Sequence, residues 1–407
     1  MPKLLSILIT LFAVAILACH SDDSGNSGGK PPEPPVKNYT VYTTGTVSTI
    51  SDNGPNKTSL WENGALKTIS RGIDDGKPSE GTTRGNQVFV SDTGDIYVAG
   101  YNAADSVDYW FQHSATYWKN GEEITLTEPG IYAEAESIFV VGDNVYVAGN
   151  TFRTPSFVPA YPVATLWKNG EPTYFSDPDD WNIVSRAYSV CVSGDDVYVA
   201  GYLTSEYMQI YHATIWKNGE TQLIGDKIES SLVYSILVSS GNVYAAGLQY
   251  RLDHSGVSLP HATIWKNGEP QYLPEKRSDR PDTEDWFNPA ISMAKSVFVS
   301  GNDVYVAGWG SLFAPGSTGS GTHRALLWKN GEQSVISDGK NGTSTEAFSV
   351  FVVNDDVFVA GRQEKSIDGD NMARLWKNGV PQSLNTSGYP CSNAMSVFVV
   401  ELPPPAP

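Results

Sequence analysis

Residues 189–201 read Ser-Val-Cys-Val-Ser-Gly-Asp-Asp-Val-Tyr-Val-Ala-Gly, and residues 216–219 read Trp-Lys-Asn-Gly. Ser189–Val192 and Val197–Gly201 are short β-branched and aromatic runs joined by Gly and Asp, which predicts two antiparallel strands and a tight turn. Asn-Gly accepts the two positive φ angles of a type I′ turn, so the strand ending in Trp216-Lys217 is followed by another strand. The same reading applies at Ala164–Lys168, Asn169-Gly170 and Glu171–Phe175, where Lys168 and Glu171 are expected to pair across the ladder. The unit is therefore four antiparallel strands, A to D. Leu166 and Trp167 point to opposite sides, as do Val197 and Tyr198, so both faces of the sheet are apolar.

These three phrases recur in fixed order. The first stands at Gln87–Val90, Ser137–Val140, Ser189–Val192, Ser235–Val238, Ser296–Val299, Ser349–Val352 and Ser396–Val399. The second stands at Val41–Gly45, Ile96–Gly100, Val145–Gly149, Val197–Gly201, Val243–Gly247, Val304–Gly308 and Val357–Gly361. The third starts at Trp61 (with Glu62 for Lys), Trp118, Trp167, Trp216, Trp265, Trp328 and Trp376, spaced 57, 49, 49, 49, 63 and 48 residues apart. Small β-sheets at such a period, apolar on both faces, bury themselves by stacking radially into a β-propeller. The repeated tryptophans are then packing between blades. Serines opening six of the seven A strands imply a repeated structural hydrogen bond, because a catalytic serine is normally unique.

The order of phrases closes the ring. The first unit begins at strand B, and the last phrase, Ser396–Val400, is an orphan strand A. The expected fold is an all-β, seven-bladed propeller with four antiparallel strands per blade, closed in blade 1 by the C-terminal strand. That closure resembles the velcro of known propellers and covers residues 39–400, followed by a Pro-rich tail, 401–407. Trp-Asp repeats and the kelch double glycine are absent. Cys191 and Cys391 fall half a ring apart, too far for a disulfide.

The N-terminus is an address. Lys3 and the apolar run Leu4–Ala18 read as a signal peptide, and Ile16-Leu17-Ala18-Cys19 resembles a bacterial lipobox, which implies lipidation of Cys19. Asp22-Asp23 is similar to a surface-export signal of Bacteroidota lipoproteins, and residues 19–38 read as the tether. Taken together, the chain resembles repeat-propeller surface lipoproteins of Bacteroidota. The expected location is the outer membrane, lipid-anchored and facing the cell exterior, with the periplasmic face as the alternative.

Composition narrows the function. With 27 Lys+Arg against 45 Asp+Glu, the formal charge of −18 opposes nucleic-acid binding, which needs a basic footprint. Three cysteines make neither a disulfide scaffold nor a four-thiolate zinc site. No nucleophile elbow, phosphate loop or zinc-protease motif is present, and no metal or cofactor is expected. Strand parity puts the A–B and C–D turns on one face and the longer B–C and D–A connections on the other. Four tryptophans outside the repeat (Trp110, Trp181, Trp286, Trp309) and five histidines (His113, His212, His254, His261, His323) fall on that second face, as do Asp105, Asp108, Glu134, Glu206 and Asp253. Trp286, Phe287, Trp309, Phe313, His261, His323 and Arg324, in blades 5 and 6, are the expected binding residues: an apolar platform edged by His and Arg suits a sugar ring. The expected function is non-enzymatic binding of a glycan or a surface or periplasmic protein by a monomer. The alternative is an extracellular polysaccharide lyase or glycoside hydrolase, which requires converging carboxylates.

Overall fold

In a computed structural model, the residues described are 38–48, 56–69, 82–103, 113–128, 131–153, 161–204, 210–225, 228–252, 256–274, 290–312, 322–337, 343–365 and 370–403. The signal segment, Cys19, the tether, Asp105, Asp108, Trp110, Glu206, Asp253, His254, Trp286, Phe287 and Phe313 lie outside them. Every strand among the described residues belongs to one of seven four-stranded antiparallel sheets, and none of these residues is helical.

Blade 1 runs, from strand A to strand D, Cys391–Glu401, Tyr39–Ser48, Asn56–Glu62 and Ala65–Thr68. Blade 2 is Thr83–Val90, Ile96–Ala103, His113–Lys119 and Glu122–Thr125; blade 3 is Ala133–Val141, Asn144–Arg153, Tyr161–Lys168 and Glu171–Tyr174. Blade 4 is Ser185–Ser193, Asp196–Thr204, Tyr211–Lys217 and Glu220–Leu223; blade 5 is Ser231–Ser239, Asn242–Leu252, Ser258–Lys266 and Glu269–Tyr272. Blade 6 is Ala290–Ser300, Asp303–Leu312, Thr322–Lys329 and Glu332–Ser337; blade 7 is Thr345–Val353, Asp356–Glu364, Asn371–Lys377 and Val380–Gln382. Closure by the C-terminal strand holds, in register from Tyr39↔Glu401 to Ser48↔Cys391. That strand starts at Cys391, five residues before the repeated phrase. Each sheet packs on the next, and the seventh packs on the first.

The repeated residues do the packing expected of them. Trp216 of blade 4 is buried with Tyr146, Ala148 and Ala164 of blade 3, and Phe175 stacks on its ring at 5.0 Å. Trp61 of blade 1 is buried with Phe358 and Ala360 of blade 7. Burying an aromatic side chain of this size is worth roughly 1.5–3 kcal/mol.

The Asn-Gly turns have Asn φ between 49° and 54° and Gly φ between 77° and 89° in all seven blades. Each Asn Oδ1 also accepts the N–H of the residue that opens the strand-B phrase, as from Val145 to Asn169 at 2.8 Å and from Val357 to Asn378 at 2.8 Å. Asn is needed twice over, for its left-handed backbone and for its acceptor. Lys168 and Glu171 are register partners as expected. The Lys168 Nζ, however, rests 5.3 Å from the Tyr146 ring centre, where the aromatic face supplies the attraction.

The strand-A serines make the expected structural bonds, and they form a closed circuit. Ser137 accepts the N–H of Val190 (3.0 Å), Ser189 that of Ile236 (3.2 Å), Ser235 that of Val297 (3.2 Å) and Ser296 that of Val350 (3.1 Å). Ser349 accepts from Val397 (3.2 Å), Ser396 from Val88 (3.3 Å), and Gln87 Oε1 replaces the hydroxyl by accepting from Ile138 (2.6 Å). Every blade is thereby bonded to the next.

One feature of strand A is not visible in the phrases. The A–B ladder slips by one residue in all seven blades, just before the repeated Ser or Gln. The extra residues are Asn86, Glu136, Tyr188, Tyr234, Lys295, Phe348 and Met395, each a β-bulge. The glycine ending the strand-B phrase makes this possible. A Cβ at Gly201 would lie 1.7 Å from the Arg186 carbonyl oxygen, and one at Gly149 would lie 2.0 Å from that of Glu134. Only glycine lets the bulged backbone approach so closely.

Candidate binding site in the central channel

Strand A is innermost, so the bulges deliver one side chain per blade to the channel wall. Tyr188 of blade 4 and Tyr234 of blade 5 have ring centres 5.1 Å apart. Lys295 of blade 6 holds its Nζ 3.5 Å from the Tyr234 ring centre. The charges of Glu346 and Arg362 in blade 7, Glu136 in blade 3 and Arg84 in blade 2 all act on Lys295. Groups from opposite sides of the ring can act on one ammonium only across the channel.

Two residues before each bulge, strand A supplies a second set of groups, including Arg84, Glu134, Arg186 and Glu346. Arg186 Nη2 donates to Glu134 Oε2 at 3.1 Å and to Glu136 Oε1 at 3.4 Å, while its guanidinium lies 5.3 Å from the Tyr188 ring. Tyr132 Oη also donates to Glu134 at 3.2 Å, and the Tyr132 ring stacks on Phe152 at 4.1 Å.

An aromatic, a histidine and a glutamate recur in two blade pairs. Tyr101 follows the strand-B glycine of blade 2 and stacks at 4.0 Å on His113 of strand C, whose Nδ1 is 3.3 Å from Glu134 of blade 3. Trp309 holds the same place in blade 6 and stacks at 4.1 Å on His323, whose Nδ1 is 2.6 Å from Glu346 of blade 7. Arg362 Nε donates to the other Glu346 oxygen at 2.9 Å. An ionised carboxylate only accepts, so Nδ1 carries the proton in both histidines.

The environments separate the carboxylates. Burial pushes Glu134 and Glu346 upward, but the hydrogen bonds from His113 and His323 and the charges of Arg186 and Arg362 outweigh it, leaving both below the usual glutamate range. Burial wins at Glu136, which stays above that range despite Arg186. Burial draws the Lys295 ammonium down to about 8 against the attraction of Glu346 and Glu136, and it pushes the Tyr234 phenol up to about 12.

The expected site residues are distributed as follows. Trp309 and His323 are in contact, but Trp309 is only 8% exposed and is part of the packing, whereas Trp181 is 43% exposed with its ring edge-on to Tyr161. His261 lies one blade away, edge-on to Tyr272 at 6.5 Å, and Arg324 sits beside His323, paired with Gly310. His261, Trp309, His323 and Arg324 lie on strands rather than loops, because strands B and C run on past the repeated phrase. In blade 5, Asn242–Leu252 and Ser258–Lys266 take up most of the stretch read as a connection. Loop length as a guide missed Glu136, Arg186, Tyr188, Tyr234 and Lys295. For all of these but Arg186 a signal was present nonetheless: the residue before the strand-A Ser or Gln changes in nearly every repeat while its neighbours recur.

The chain is thus a seven-bladed β-propeller, closed by its own C-terminus, with a charged and aromatic channel. No protein-family model matches it, and no curated protein matches its sequence. The chain is similar to several solved structures at low sequence identity. The β-propeller domain of a trilobed protease from Pyrococcus furiosus is 15% identical, with 88% of this chain and 96% of that one covered at a TM-score of 0.44. A mutant Synechocystis apocarotenoid oxygenase is 8% identical, with 91% and 94% covered at 0.45. A Trypanosoma rangeli sialidase mutant with trans-sialidase activity is 10% identical, with 90% and 53% covered at 0.36.

Proposed function

We propose that this protein is a non-enzymatic binding propeller, held at the outer membrane through lipidated Cys19, that takes a glycan at the channel mouth on the B–C and D–A face. The carrying observation is the cluster of Tyr188, Tyr234, Arg186, Glu134, Glu136 and Lys295, contributed by four successive blades around one channel. Phenol faces stack on the apolar side of a sugar ring, and convergent charged groups take its hydroxyls.

The carboxylate geometry favours binding over hydrolysis. Glu134 and Glu136 are both tied to one Arg186 nitrogen, at 3.1 and 3.4 Å, and Glu134 is also bonded to His113 and Tyr132, whereas a glycosidase needs two acids free to flank the scissile bond. One observation favours the hydrolytic reading: their environments push these two glutamates in opposite directions, as an acid and base pair requires.

A glycan array with wild type and Tyr188→Ala tests the proposal. Binding lost in the variant at an unchanged melting temperature is the expected result; no glycan binding by wild type refutes it, and release of reducing ends that Glu136→Gln abolishes supports the hydrolase. Cys19→Ala is expected to free the protein from the membrane fraction.

A further inference from the structure

The carboxylates and the cations of the channel are not matched. Glu134 and Glu136 are taken by Arg186, and Glu346 by Arg362 and His323. Lys295 has no carboxylate or other hydrogen-bond acceptor among the described residues; its neighbour is the Tyr234 ring. A cation–π contact leaves the three ammonium N–H donors without acceptors. Arg84 meets the Tyr101 hydroxyl and, at 4.0 Å, the Met395 sulfur, again without a carboxylate. The buried Arg186 Nε has no acceptor either. In a protein with a formal charge of −18, the named channel groups are thus three glutamates against four cations, and neither Lys295 nor Arg84 is hydrogen-bonded to a carboxylate beside the two phenols.

We infer that the channel ligand is an acidic saccharide, whose uronate carboxylate is held by Lys295 and Arg84 while its ring lies against Tyr188 and Tyr234. This rests on the glycan-binding reading and deepens it. Placing a desolvated lysine in a channel is costly unless an anion completes it, and a guanidinium suits a planar carboxylate in bidentate fashion. Lys295 titrates at about 8, so it is mostly charged at neutral pH and loses its charge above that value. Glu136, Glu346, Arg84 and Arg362 face it, and the Tyr234 ring covers it. Affinity is therefore expected to fall as pH rises past 8 and to fall with added salt.

The experiment is titration calorimetry of the full mature chain with tetragalacturonate, its fully methyl-esterified form and a sulfated tetrasaccharide, using wild type, Lys295→Met and Lys295→Arg. The acid is expected to bind at least tenfold tighter than the ester. Lys295→Met should remove that preference and Lys295→Arg should retain it. The Met variant is expected to melt no lower than wild type, since it removes a poorly solvated charge at similar volume. Equal binding of acid and ester, or equal binding of the acid by Lys295→Met, overturns the inference while leaving glycan binding intact. Preference for the sulfated probe overturns the carboxylate assignment. Failure of every charged and neutral glycan overturns both readings.

Discussion

At the scale of single residues, Glu346 shows how the channel wall is held. Its side chain is 7% exposed and receives bonds from His323 and Arg362. The carboxyl sits below its ordinary value, so its contribution to stability is complete above that value and is lost as pH falls through the lower, folded value. Glu346→Gln is expected to cost about 2–3 kcal/mol at pH 7, less than a fully buried pair because Arg362 remains 35% exposed. Denaturant melts at pH 7 and pH 3.5 check this. The variant's deficit should shrink at the lower pH, and an equal deficit at both would remove the electrostatic account.

At the scale of the element, the bulge links the repeat to the site. Gly201→Ala would force a methyl group into the Arg186 carbonyl, 1.7 Å away. The bulge at Tyr188 would have to open, at a cost of about 3 kcal/mol or more. Thermal unfolding measures this, and an unchanged melting temperature would contradict the role given to that glycine. The same element explains what could be read from sequence. Asn169-Gly170, Trp167 and Val197–Gly201 carry their structural reason locally, as turn chemistry and alternation, so strands and blades were legible. The bulge depends on a glycine in a different strand, and a strand read with period two places Tyr188 and Lys295 on an ordinary sheet face. Trp309 and His323 stood out as irregular residues and do meet, yet their partner Glu346 comes from the next blade. Trp286, Phe287 and Phe313 lie outside the described residues.

For the whole molecule, closure is the decisive contact. Ala394, Val397 and Val399 of the final strand are buried in the core that joins blade 7 to blade 1. That strand also accepts and donates bonds in the serine circuit, through Ser396 and Val397. Deleting residues 391–407 removes strand A of blade 1 and leaves Tyr39–Ser48 as a long unpaired edge. The truncated chain is expected to partition into the insoluble fraction, since such edges pair between molecules. A soluble truncation with the wild-type melting curve would contradict closure by this strand.

The bulge has a further consequence for how such a protein changes over time. Seven codons, for Asn86, Glu136, Tyr188, Tyr234, Lys295, Phe348 and Met395, are decoupled from the serine circuit, the tryptophan packing and the hairpin turns that flank them. Except at Asn86, whose Nδ2 donates to the Ala135 carbonyl of the next blade at 2.9 Å, substitution there rewrites the lining of the pore without renegotiating the scaffold, and duplication of a blade would bring one more blank character to write. The ring behaves as a seven-letter word in a fixed frame, in which lineages can drift from one ligand to another while inheriting the same shape.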